Sequence, residues 1–158
     1  MRDKLSTIKY AEYIRDFTAL GNPFLLLFIA VFSLIRLDNF SSMMPVLILG
    51  FLANEIFCSG IKYFWHKPRP NGQQFENAFE KIDAGSFPSI HAARISFVYA
   101  NIAYPYYLMG KFLPVFLCIL IIALVGYSRI FLKKHFLTDV IAGYIIGSSS
   151  FLLFLNWM

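Results

Sequence analysis

The chain has 158 residues, 58% of them apolar and only 15% charged, with 18 phenylalanines and a formal net charge of +5. A soluble domain is about half apolar and roughly a quarter charged, and a single small core cannot hide this much aromatic surface; the composition excludes an ordinary soluble domain and points to a polytopic membrane protein. The basic excess would also suit nucleic acid, but the cations stand at the ends of apolar runs, where they meet lipid headgroups, so lipid and not nucleic acid is the expected partner.

In chain order, Met1 to Leu20 carries Arg2, Lys4, Lys9, Glu12, Arg15 and Asp16. It lacks the apolar stretch of a cleavable signal peptide, so none is expected. Tyr10, Tyr13, Ile14 and Phe17 recur at helical spacing, with Lys9, Glu12 and Asp16 on the other face. This pattern predicts an amphipathic helix over 1–21 lying in the membrane interface.

A membrane crossing needs about 20 mostly apolar residues. Five runs come close: Pro23 to Leu37, opened by Asn22 as a cap, then Met43 to Trp65, Ser89 to Leu108, Phe112 to Tyr127, and Asp139 to Met158. The first is short for a crossing. The longest connection, His66 to Phe87, is punctuated by Pro68, Pro70, Gly72 and Gly85. Its middle repeats Phe75, Ala78, Phe79 and Ile82 at helical spacing, which predicts a short surface helix. Cys58 and Cys118 both lie inside apolar runs and read as small buried hydrophobes, without a disulfide or metal pattern. The expected architecture is all-α: one domain over 1–158, with an interfacial helix (1–21) and a bundle of five spanning helices (22–158). No oligomeric state is readable.

If the chain crosses at every run, three polar clusters reach the membrane face that also holds the N-terminal helix. They are Lys62 to Pro70, Phe87 to His91, and Ser128 to Asp139. Lys62, Arg69 and Arg129 are cations suited to phosphate oxygens. Pro88-Ser89 opens a helix whose first N–H groups are free for an anion, with His91 in that first turn. His135 and Asp139 are four apart, close enough for the carboxylate to hold one imidazole nitrogen and leave the other as nucleophile or base. Singly these features are weak: a cation at a helix end usually snorkels, and an isolated interfacial histidine is usually just solvated. Convergence on one face gives them weight.

Lys62-x6-Arg69-Pro70, Pro88-Ser89-x-His91 and Ser128-Arg129-x5-His135-x3-Asp139 together resemble the three-part signature of the type 2 phosphatidic acid phosphatase superfamily in order and spacing, over about half of the chain. The resemblance implies that His135 attacks phosphorus to form a phosphohistidine, that Asp139 orients and charge-balances His135, and that His91 protonates the leaving group. Lys62, Arg69, Ser89 and Arg129 would hold the phosphate oxygens, without a metal or other cofactor. In one place the chain departs from the family pattern. Ile90 stands where the family usually has glycine, so the backbone contact to phosphate at Ile90 would be differently angled, while helical φ/ψ remains open to it.

Arg94 lies one turn below His91 inside an apolar run, a costly place for a charge unless it is paired or functional. Either it contacts a second phosphate or a sugar-linked anion, or it is a structural arginine that snorkels or pairs with Glu55, two turns before Lys62. His66 and Lys67 read as headgroup contacts. The resemblance implies a lipid phosphatase acting on a polyprenyl diphosphate, phosphatidic acid, phosphatidylglycerol phosphate or a lipid-linked sugar phosphate. Five apolar runs disfavour the soluble haloperoxidases of the same superfamily. The alternative is a membrane protein that binds or transports a phosphorylated lipid without turnover; an intact His91, His135 and Asp139 argue against it. The excess of cations on the face bearing the site predicts a cell-membrane protein with that face in the cytoplasm.

Overall fold

The computed structural model describes residues 21–36, 40–72 and 76–156. The expected interfacial helix over 1–21 therefore lies almost wholly outside the described residues. Helix α1 spans Pro23–Arg36, α2 Phe40–Phe64, α3 Ala78–Ala84, α4 Ile90–Leu108, α5 Phe112–Phe131 and α6 Leu137–Leu155. Among the described residues all regular structure is helical.

Local chemistry sets the helix ends. Asn22 Oδ1 accepts the Phe24 N–H at 2.9 Å, and Pro23 follows at the first helical position. Asn77 Oδ1 caps α3 through the Glu80 N–H at 2.9 Å, while Glu80 reaches back to the Glu76 N–H at 2.8 Å. The short helix expected in the long connection is thus present as α3. Helix α5 continues a turn past Tyr127, and there Ser128 Oγ donates to the Val125 carbonyl at 2.6 Å, which satisfies its hydroxyl inside the bundle.

Helix α4 is the centre of the bundle, packed by α1, α2, α5 and α6. It buries Ala92, Ala93, Ile95, Phe97, Val98 and Ile102 together with the polar Ser96 and Asn101. Helix α6 comes closest to it, and glycine explains why. A Cβ on Gly143 would stand 2.5 Å from the Ser89 carbonyl and 2.8 Å from Ala92 Cβ, and one on Gly147 would collide with Ser96 and Ala93. Two glycines four apart on α6 therefore let the backbones meet, as small residues do at membrane helix interfaces.

Among the described residues three helices are long and apolar enough to cross a membrane: Ser42–Phe64 within α2, Phe112–Phe131 and Leu137–Leu155. Of the five expected runs the other two fall short for different reasons. With 14 residues, α1 spans only about 21 Å, and α4 is diluted by the polar groups it buries among its neighbours. The outer face of α5 exposes Phe112, Leu113, Phe116, Leu117, Ile119 and Leu120, a surface for acyl chains and not for water.

Candidate active site

At one end of the bundle a cavity of about 230 Å³ is walled by Ser59 and Lys62 of α2, Arg69 of the following loop, and Ile82 and Asp83 of α3. Ile90, His91 and Arg94 of α4 and His135 of the α5–α6 loop close it. The three sequence clusters thus meet, and both histidines face the same space.

The turn after α5 puts His135 there. Leu132 ends the helix, and Lys133 takes a left-handed conformation (φ 52°), unusual for a residue with a Cβ. The N–H groups of Lys134 and His135 then return to the Arg129 carbonyl at 3.1 and 3.2 Å. His135 is 2% exposed and its Nδ1 lies 2.6 Å from the Ser86 carbonyl oxygen. A carbonyl only accepts, so Nδ1 carries the proton in this arrangement and Nε2 keeps its lone pair. Burial, followed by the charges of Arg129 and Lys62, pushes the His135 pKa from 6.5 down to about 2, against the opposing pull of the Ser86 carbonyl.

The expected grip of Asp139 on His135 is not what the structure has. Helix α6 begins at Leu137, so His135 precedes it and the i, i+4 neighbour relation of a helix does not apply. Asp139 is in the first turn, where Oδ2 turns back to the Phe136 N–H at 2.9 Å as a helix cap. Its Oδ1 is 2.6 Å from the Lys67 ammonium. Lys67 is therefore tied to a fully buried carboxylate and lies 4.6 Å from the Phe136 ring centroid, instead of serving only as a headgroup contact. The imidazole is oriented by Ser86, a residue the sequence motifs do not contain.

The segment between α3 and α4 joins the clusters. Lys62 Nζ donates to the Gly85 carbonyl at 2.6 Å, Arg69 donates to the Asp83 carbonyl, and the Ser86 N–H donates to the Lys67 carbonyl at 2.7 Å. The Ser89 N–H reaches the Asp139 carbonyl at 2.9 Å, so the start of α4 is bolted to the start of α6. Burial lowers the Arg69 pKa, partly offset by the Asp83 carboxylate.

Other expected ligands take different places. Ser89 is fully buried and caps α4, its Oγ accepting the Ala92 N–H at 3.4 Å, so in this structure its hydroxyl serves the helix. Ile90 takes a helical position on the cavity wall. Arg129, at the end of α5, is 7% exposed, with its Nε buried and without a hydrogen-bond partner, a donor in reserve beside the histidines. Of the two possibilities for Arg94, pairing with Glu55 is the one present: Nε and a terminal nitrogen meet the two carboxylate oxygens at 2.5 and 2.6 Å. Its charge is thereby neutralised where it lines the cavity. Among the described residues no cluster of three His, Cys, Asp or Glu side chains could hold a metal ion.

Comparisons with known proteins bear on the fold and the family. Phosphatidylglycerophosphatase B of Bacillus subtilis (strain 168) is 38% identical over 74 residues, 43% of this chain and 36% of that protein, so the match spans about a third of the relative's length. The crystal structure of a transmembrane PAP2-type phosphatidylglycerolphosphate phosphatase from Bacillus subtilis superposes with a TM-score of 0.75 at 26% identity, covering 94% of this chain and 76% of that one. Aquifex aeolicus LpxE shares the fold, with a TM-score of 0.73 at 24% identity over 93% of this chain and 86% of that one. The family model of the PAP2 superfamily matches residues 45–158, which include every residue of the cavity wall, and the chain belongs to that superfamily.

Proposed function

We propose that the chain is an integral membrane lipid phosphatase that works through a phosphohistidine. The observation carrying this reading is that His91, His135, Lys62 and Arg69 face one small cavity at one end of an apolar bundle, with Nδ1 of His135 against the Ser86 carbonyl. In the proposed reaction Nε2 of His135 forms a bond to phosphorus as the bond to the leaving oxygen breaks. His91, whose protonated form the incoming phosphate anion favours, gives that oxygen its proton. It then takes a proton from water as the water oxygen bonds to phosphorus and the N–P bond breaks, which releases phosphate and restores both histidines. Lys62, Arg69 and Arg129 supply the positive charge that a metal supplies in other phosphoryl transfers. Asp139 serves this site through Lys67 and the α6 cap. Substrate binding exchanges the carbonyls now on Lys62 and Arg69 for phosphate oxygens.

The substrate class is a lipid phosphomonoester or diphosphate: a polyprenyl diphosphate, phosphatidic acid, phosphatidylglycerol phosphate or a lipid-linked sugar phosphate. The Bacillus subtilis proteins make phosphatidylglycerol phosphate the first to try. The membrane arrangement we propose is a single domain over 1–158, with five crossings, an N-terminal interfacial helix and the site on the cytoplasmic face. Phosphate release by detergent-solubilised protein across these lipids is the test. Turnover is expected to withstand EDTA and to be inhibited by vanadate, which can adopt the five-coordinate geometry of the reacting phosphorus. Strict dependence on added Mg²⁺ would overturn the mechanism, and failure to release phosphate from any of the lipids would favour a binding or transport role.

A further inference from the structure

We infer that Asp83 is an internal competitor for phosphate at Arg69 and thereby sets how tightly the pocket keeps its inorganic phosphate product. The inference rests on the phosphatase reading for its biological sense, but its chemistry requires only that the pocket bind phosphate.

The two arginines on the cavity wall each have a carboxylate, held in contrasting ways. Glu55 meets Arg94 with both oxygens at 2.5 and 2.6 Å, and both side chains are largely buried. That pair is a fixture of the bundle. Asp83 stands 3.6 Å from the Arg69 guanidinium, and its side chain is 71% exposed while that of Arg69 is 6% exposed. Asp83 therefore stands at the mouth and Arg69 behind it. The Asp83 backbone carbonyl also accepts from Arg69, so the guanidinium is oriented without the carboxylate. What the carboxylate adds is negative charge beside a cation suited to phosphate.

The same stretch of chain presents further oxygens to the site: the carbonyl of Gly85 to Lys62 and that of Ser86 to His135. Asp83 alone among these brings a full charge. A pocket with several cations in a membrane-embedded protein binds a phosphate dianion strongly, and tight binding of the product would slow every turnover. A carboxylate that can return to Arg69 as phosphate departs offsets that hold. Its exposure limits the effect, since exposed ion pairs are weak and screened by salt.

The experiment is direct calorimetric titration of the detergent-solubilised full chain with inorganic phosphate, and separately with vanadate, at low ionic strength. Asp83→Asn keeps the backbone carbonyl and removes only the charge. It should tighten phosphate binding about threefold, with the gain shrinking at high salt, and Asp83→Glu should restore the parent affinity. Unchanged or weaker phosphate binding by Asp83→Asn would overturn the inference, the weaker case assigning Asp83 to the orientation of Arg69. Absence of binding by parent and variant alike would overturn it too. Because the readout is binding, a parent that binds phosphate but turns over no lipid would defeat the phosphatase reading while the Asp83 comparison still reports on competition.

Discussion

The Lys67 ammonium and the Asp139 carboxylate meet at 2.6 Å, joining the loop after α2 to the first turn of α6. Asp139 is fully buried, whereas the Lys67 side chain is 34% exposed. Removing one partner of a fully buried pair costs about 3–5 kcal/mol, and solvent at Lys67 reduces the expected loss for Lys67→Gln to about 2 kcal/mol. Asp139→Asn should destabilise as well, since it weakens both the pair and the cap on Phe136. Because the two residues act as one unit, the double variant should lose less than the sum of the singles. Denaturant or thermal unfolding in detergent, read as a double-mutant cycle, checks this; strict additivity would mean that the pair contributes nothing to positioning α6.

His135 gives a kinetic and a pH prediction. His135→Ala should lower kcat by more than about 100-fold while the helical bundle persists; activity within tenfold of the parent would remove it from the nucleophile's role. With its folded pKa at about 2 against an ordinary 6.5, His135 is neutral through the physiological range, and its lone pair is available. It therefore contributes no acidic limb to kcat/KM above pH 5. The stability sign follows from the same depression. Below pH 6.5 the unfolded chain takes up a proton that the folded chain refuses, so the folded state loses stability progressively as pH falls from 6.5 towards 2. His135→Asn should show a smaller fall in Tm between pH 8 and pH 5 than the parent. An equal fall in both would place the acid sensitivity elsewhere.

Much of this site was legible in the sequence because its chemistry is carried by residues at fixed spacing near helix ends. Lys62, Arg69, His91 and His135 come together as their motifs imply. The misreadings are instructive. His135 and Asp139 are four apart and the apolar run opens at Asp139, yet the helix starts at Leu137, so Asp139 lies within its first turn, where the carboxylate caps Phe136 and meets Lys67 instead of the imidazole. The fourth apolar run ends near Tyr127 in sequence, but α5 continues to Phe131, with the buried Ser128 hydroxyl donating to the Val125 carbonyl of its own helix. Ser86 and Asp83 had no local signal at all, since their roles come from contacts made across the fold. The spacing of Gly143 and Gly147 was a readable cue to the close α4–α6 approach.

Arg94 and Glu55 form a two-pronged pair on facing helices, so Arg94→Leu should lower activity on monophosphate and diphosphate lipids alike, through loss of packing. Either single variant that leaves the other charge buried should cost about 3 kcal/mol, whereas a double Glu55→Leu, Arg94→Leu variant should recover much of that stability. Turnover of matched mono- and diphosphate lipids beside unfolding curves measures both effects. A loss confined to diphosphates would return Arg94 to a substrate-binding role.

The last prediction concerns the side of the membrane on which the site works. In the proposed five-crossing topology the site face carries Arg2, Lys4, Lys9, Arg15, Lys62, Lys67, Arg69, Lys81, Arg94, Arg129, Lys133 and Lys134, while the opposite face has only Arg36 and Lys111. Setting aside Lys62, Arg69 and Arg129, which the chemistry needs, and the Glu55-paired Arg94, the imbalance persists. Cationic segments near helix ends are retained on the cytoplasmic side, so the cavity is expected to face the cytoplasm. Asn71 is exposed in the loop that carries Arg69 and offers a labelling position away from the cavity wall. In a background with Cys58 and Cys118, both buried, replaced by alanine, Asn71→Cys should resist a membrane-impermeant thiol reagent in intact cells and react after lysis. Efficient labelling of intact cells would put the cavity on the outer face, and the cations on that face would then be explained by the anionic substrate and not by insertion.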